Sequence, residues 1–130
     1  MSTNANNTIT VTESDYRKLL SLIEAADSAA ADNLDAELSR AEIVPDHLLP
    51  ADTVAMGSTV TFRDRDNGAE TTVTLVFPRE ANVDQMRISV LSPVGSALIG
   101  LRIGGAIDWP MPGGRQRRLE VVTVQQLRED

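Results

Sequence analysis

SPVGSALIGLRIGGAIDWPMPGG, residues 92–114, is the stretch whose layout decides the fold. Ser92 followed by Pro93 is the order of a helix start. A serine oxygen can accept one of the unpaired amides of a first turn, and proline at the first helical position has no N–H to leave unpaired. Val94, Ala97, Leu98 and Leu101 recur at helical spacing and predict the buried face of a short helix, with Gly100 placed to end it. Gly104-Gly105 predicts a turn, AIDWP (106–110) a strand, PGG (112–114) a second turn, and RRLEVVTVQQL (117–127) a closing strand. Nothing in this layout reads as a reactive group, although its order is specific.

The strand texture begins further back, at Asp52. TVAMGSTVTFRD (53–64) is rich in β-formers and broken at Gly57, and DRDNG (64–68) is a turn in which Asn67-Gly68 is a strong hairpin signal. GAETTVTLVFP (68–78) returns as the partner strand, and QMRISVL (85–91) adds another. Residues 9–50 instead read as helical. Thr12 and Asp15 resemble a capping box, with Asp in place of the usual Glu or Gln. Tyr16, Leu19, Leu20, Ile23 and Ala26 form one stripe. Either Ser28 or Asp32 can cap a second helix carrying Leu34, Leu38 and Ala41. Two such helices, each about 18 Å long, pack as an antiparallel hairpin, with Ala29-Ala30-Ala31 near its tip. VPDHLLP (44–50) is the linker. The expected class is therefore α+β: a short helical hairpin over residues 9–45 and an antiparallel β domain with one short helix over residues 52–127.

Composition narrows the function. The chain has 130 residues, 42% of them hydrophobic, enough to bury one core. Tyr16, Phe62, Phe77 and Trp109 are its only aromatic residues, too few for a base-stacking platform. With no cysteine, thiol nucleophiles, disulfides and thiolate metal sites are excluded. Residues 1–8 have no signal-peptide character and no apolar run is long enough for a membrane span, so a cytoplasmic protein without membrane association is expected. The net charge is −7, and residues 1–50 hold nine acids against Arg17, Lys18 and Arg40. Such a chain is repelled by phosphate backbones, so little or no direct nucleic-acid binding is expected, and its acidic front suits a basic cleft on another protein.

Candidate chemical groups are few. His47 is the only histidine and stands in a proline-flanked linker, so it reads as a solvated residue and not a general base, and a Ser-His-Asp triad falls with it. The glycine-rich pieces match neither a P-loop nor a dinucleotide fingerprint, and the sole lysine is Lys18. Asp27, Asp32 and Asp35 near the hairpin tip offer two readings: a hard-cation site, or helix-capping acids that complement the helix dipole; the second is preferred. Arg115, Arg117 and Arg118 read as a solvated strand end in preference to a contact for an acidic partner. No catalytic residue, metal site or cofactor is assigned.

SPVGSALIGLRIGGAIDWPMPGG with the following RRLEVVTV resembles the C-terminal domain of the bacterial Gre transcript-cleavage factors. DNLDAELSRAEIVP (32–45), DTVAMGSTVTFRD (52–64) and the IDWPMPGG ending (107–114) make the chain more similar still to the regulator of nucleoside diphosphate kinase family, a smaller Gre relative. The likeness covers about residues 10–125. It implies an FKBP-like β domain that docks on RNA polymerase at the rim of its secondary channel, with Leu91, Ser92, Pro93 and Val94 as the docking loop. It also implies competition with Gre-type factors by a monomeric protein without catalysis of its own. Two departures qualify the likeness. Leu91 stands where Gre factors tend to carry an acid or amide. The hairpin is shorter than the Gre coiled coil and shows no alignable counterpart of its acidic tip pair, so cleavage is not carried over to Asp27, Asp32 or Asp35. Transcript cleavage through the acidic hairpin is kept as an alternative, and prolyl isomerisation as a weaker one because fold does not carry function.

Overall fold

The computed structural model describes residues 9–26, 28–110 and 116–126. Among the described residues, strand β1 (Thr10–Thr12) comes first and leads directly into α1 (Glu13–Ala26). The Thr12 hydroxyl accepts the Asp15 N–H at 3.0 Å, so the expected cap forms. The acidic half of the box does not turn back on Thr12, because the Asp15 carboxylate accepts the Met56 N–H at 3.1 Å, far along the chain.

Helix α2 (Ala29–Ser39) starts from Ser28, whose hydroxyl accepts the Ala31 N–H at 3.2 Å. Of the two candidate caps, Ser28 is the one used, and Asp32 falls in the first turn. Ala29-Ala30-Ala31 form the first turn of α2, next to the hairpin tip as expected, and Ala31 is buried there. Leu19 on α1 and Ala31, Leu34 and Leu38 on α2 are the buried positions of the two helices. On α1, Leu22 packs with Tyr16 and Ile23 against the core, while Leu20 of the expected stripe does not.

The linker is more structured than its sequence suggests. After α2 the chain turns at Arg40-Ala41 and forms β2 (Glu42–Val44), which pairs in parallel with β1, Val11 opposite Ile43. A purely helical reading of residues 9–50 thus omits a small two-stranded sheet at the base of the hairpin. Asp46–Leu48 then forms a single 3-10 turn.

The second half is built on β3 (Thr59–Asp64), β4 (Glu70–Val76), β5 (Arg87–Ser89), α3 (Pro93–Leu98), β6 (Ala106–Pro110) and β7 (Gln116–Gln125). Among the described residues these strands form one five-stranded sheet in the order β5-β4-β3-β7-β6. The pairings are antiparallel except at the edge, where β5 runs parallel to β4. The sheet is therefore mixed, which corrects the expectation of an antiparallel domain. The cause is the connection: 3-10 turns at Pro78–Glu80 and Val83–Gln85 carry the chain back to lie opposite Thr74 before β5 begins, so that β5 runs alongside the last three residues of β4. The β3–β4 connection spans Arg65–Ala69, with Gly68 at φ 77 and Asn67 accepting the Ala69 N–H at 2.8 Å. Its turn chemistry is that of an Asx turn and a left-handed glycine, without the paired positive φ values of a two-residue hairpin. The PGG turn and Arg115 lie outside the described residues.

One apolar cluster joins both halves. Ile9, Val11, Leu19, Leu34 and Leu38 share it with Val54, Val60, Leu75, Val90, Leu98, Ile99, Leu101 and Val121. Strand β1 is tied to the end of α3 by a bond from the Thr10 N–H to the Gly100 carbonyl at 3.1 Å, and α2 packs against α3. The hairpin is thus part of the core and not an independent prong.

Candidate partner-docking site

The loop at the start of α3 is assembled from three small residues. Strand β5 ends at Ser89, whose carbonyl accepts both the Ser92 N–H at 2.9 Å and the Ser92 hydroxyl at 2.6 Å. The Ser92 oxygen in turn accepts the Gly95 N–H at 3.0 Å, and the Ser89 hydroxyl oxygen accepts the Leu91 N–H at 3.0 Å. Pro93 occupies the first turn of α3. Ser92 caps the helix as expected, but its hydroxyl is spent inside the loop and shapes it instead of pointing to a partner. Leu91 and Val94 are half-buried, each packed against the core. Val94 also lines a cavity of about 200 Å³ whose walls include Phe62, Thr71 and Leu119. The result is an internally hydrogen-bonded knuckle beside a small hollow whose lining is mixed, Asp64 and Asn67 standing with the apolar side chains.

Ser89 and Gly95 were not legible as parts of this site. Gly95 sits where the helix passes the end of β5: an added Cβ would lie 2.1 Å from the Ser89 carbonyl oxygen. Only the three-residue spacing of Ser89, Ser92 and Gly95 hints at it. Gly100, at φ 81, ends α3 as anticipated.

The other candidates are dispersed. Asp32 and Asp35 are exposed on α2, and Asp27 lies outside the described residues. Among the described residues no three His, Cys, Asp or Glu side chains gather closely enough to hold a metal ion. His47 is exposed in its 3-10 turn, and Arg118 is exposed on β7. No described helix is long and apolar enough to cross a membrane.

The perturbed carboxylates lie at the base of the hairpin. Asp46 accepts the Ser14 N–H at 3.1 Å and the Ser14 hydroxyl as well. These bonds, the hydroxyl first, hold its carboxyl below the ordinary 3.8. Asp15 moves the other way: burial raises it above 3.8, opposed by the Met56 N–H and Lys18 and reinforced by Asp46. A carboxyl whose folded value is raised binds its proton more tightly when folded, so its charge costs stability above that value. Asp15→Asn keeps an acceptor for Met56 and removes the charge. The variant is therefore expected to be more stable than the wild type at neutral pH, by an amount that shrinks with acidification and vanishes below 3.8. Paired thermal melts across pH measure it. Asp46 acts oppositely, its contribution being present above 3.8 and lost as pH falls through its lowered value.

Comparison with known proteins places this architecture. Residues 49–126 match the family described as "Transcription elongation factor, GreA/GreB, C-term", and residues 7–44 match "Rnk N-terminus". The regulator of nucleoside diphosphate kinase of Escherichia coli is 38% identical over 121 residues, 91% of this chain and 89% of that protein. The chain belongs to the regulator of nucleoside diphosphate kinase family. Family membership accounts for the two halves found in the fold: an N-terminal part of its own and a C-terminal part shared with Gre proteins. Transcription elongation factor GreA of Rhodospirillum rubrum is 45% identical over 76 residues, 58% of this chain and 48% of that one. Among solved structures, a prokaryotic GreA/GreB elongation factor from Nitrosomonas europaea superposes with a TM-score of 0.78 at 41% identity. That match covers 91% of this chain and 98% of the other. GreA factor homolog 1 from Thermus thermophilus gives 0.50 at 26% identity, covering 91% and 99%. This member of the family is a transcription-factor-like regulator related to Gre.

Proposed function

We propose that this protein binds RNA polymerase at the rim of its secondary channel through the knuckle Leu91–Val94, competes there with Gre-type factors, and regulates elongation without catalysis of its own. The observation that carries the reading is the loop built from Ser89, Ser92 and Gly95: its conformation is set by four hydrogen bonds of 2.6–3.0 Å before any partner arrives. A preformed loop loses little conformational entropy on binding. Leu91 adds apolar surface where Gre factors tend to carry an acid or amide, so the contact is expected to be the more apolar of the two. The hairpin, with its exposed Asp32 and Asp35, follows wherever the β domain docks, because both share one core. Its acidity suits a basic cleft on the partner. The protein acts as a monomer in the cytoplasm, and an effect on nucleoside diphosphate kinase then follows indirectly from transcription.

The test is capture of core polymerase by wild type, Pro93→Ala and Ser92→Arg. Pro93→Ala leaves the serine cap in place and is expected to weaken binding about tenfold, the equivalent of about 1.4 kcal/mol. Ser92→Arg removes the cap and projects a long side chain from the loop, and is expected to abolish capture. Equal capture by all three proteins, or none by the wild type, refutes the proposal. A cleavage assay on backtracked complexes separates the catalytic alternative: activity lost in Asp32→Asn or Asp35→Asn would establish it.

A further inference from the structure

The polar bonds at the foot of α1 are long-range. Thr12 alone satisfies the cap, which leaves the Asp15 carboxylate free to reach Met56 at 3.1 Å, 41 residues away. One residue earlier, Ser14 donates its N–H and its hydroxyl to Asp46, 32 residues away in the linker. The first turn of α1 is therefore gripped from two sides, by the segment entering β3 and by the segment leaving β2. The apolar contacts of Leu19, Leu34 and Leu38 hold the hairpin to the core, but burial is non-directional and tolerates rolling and tilting. A hydrogen bond from an amide to a carboxylate is directional and fixes an angle.

We infer that Asp15 and Asp46 are positioning residues that set the direction in which the hairpin leaves the β domain. Burial disfavours the charge of Asp15, so what the position contributes is the acceptor oxygen that holds the Met56 N–H and not the charge. In the docking reading proposed above, on which the functional half of this inference rests, that direction decides whether a bound protein obstructs the channel.

The absence of cysteine makes the geometry measurable in the full chain. Spin labels are placed at Glu24→Cys on α1 and Arg79→Cys beside β4, both exposed positions. The wild-type background should give one narrow distance distribution. Asp15→Ala should broaden it about twofold, as expected when one state becomes several, and Asp46→Ala should broaden it as well. Asp15→Asn, which keeps the acceptor, should leave it narrow. An unchanged distribution in Asp15→Ala, or equal broadening in Asp15→Asn, overturns the inference. Should Asp15→Ala fail to fold by circular dichroism, Asp46→Ala and Asp15→Asn decide it by the same criteria. With polymerase, Asp15→Ala should bind as tightly as wild type, and so displace a Gre-type factor equally well from the rim, yet alter the rate of elongation less. An undiminished effect on elongation at equal occupancy would overturn the functional half. A wild type that binds no polymerase would refute the docking reading alone, and the distances would still decide the positioning role.

Discussion

Gly95→Ala lowers the melting temperature by roughly 10 °C, corresponding to about 3 kcal/mol for a chain of this size. On propensity alone the substitution would help, because alanine is worth about 1 kcal/mol over glycine inside a helix. Sterics decide the sign. The new Cβ would stand 2.1 Å from the Ser89 carbonyl oxygen, 2.9 Å from its carbon and 3.0 Å from the Ser92 hydroxyl oxygen. Two of those atoms are backbone, so no side chain can swing aside, and α3 must shift away from the end of β5. That shift breaks the bonds of Ser92 to Ser89 and Gly95, leaving polar groups in a half-buried loop without their partners. Differential scanning calorimetry measures the loss. Under the proposed function the same variant should bind polymerase more weakly even at temperatures where it is fully folded, because the loop is no longer preformed.

Gly100→Ala has a comparable effect through a different contact. Its φ of 81 is left-handed backbone, which costs a residue with a Cβ about 1–2 kcal/mol. In addition the Cβ would lie 2.6 Å from the Cβ of Ile9 and 3.1 Å from the Thr10 nitrogen. Strand β1 is held to Gly100 by the Thr10 N–H, so the clash pushes the first strand of the hairpin unit off the end of α3. We expect about 3 kcal/mol in all from strain and overpacking. Gly104→Ala is the control: φ is 94 there, but nothing lies within 4 Å of the new carbon. It should cost only the backbone strain, about 1–2 kcal/mol. Equal losses at positions 100 and 104 would show that the contact between β1 and α3 carries no weight.

The contrast between these glycines shows what sequence could and could not reveal. Gly100 was legible as a helix end because Val94, Ala97 and Leu98 run up to it, whereas Leu101, also read onto that face, lies beyond the end of α3 and is buried there. The second role of Gly100, clearance for Ile9, depends on a neighbour about 90 residues earlier, which no local pattern encodes. The same division runs through the fold. Thr12, Ser28 and Ser92 announced their helices because caps are local chemistry. The parallel pairings of β1 with β2 and β4 with β5 were not legible, since three-residue strands carry almost no alternation and their partners are set by the connections. At the site, Ser92 and Pro93 were visible as a helix start, whereas Ser89 became visible only once β5 was seen to end beside it. The reach of Asp15 to Met56 was hidden by its own plausibility as half of a capping box.

The central claim is that the knuckle at residues 91–94 grips RNA polymerase. A photo-crosslinking amino acid at position 94, in the full chain bound to core polymerase, tests it most directly. The account predicts crosslinks confined to the polymerase surface at the entrance of the secondary channel, suppressed by excess Gre-type factor. Crosslinks that fall elsewhere on the enzyme, or that persist undiminished when the competitor saturates the channel, would contradict it.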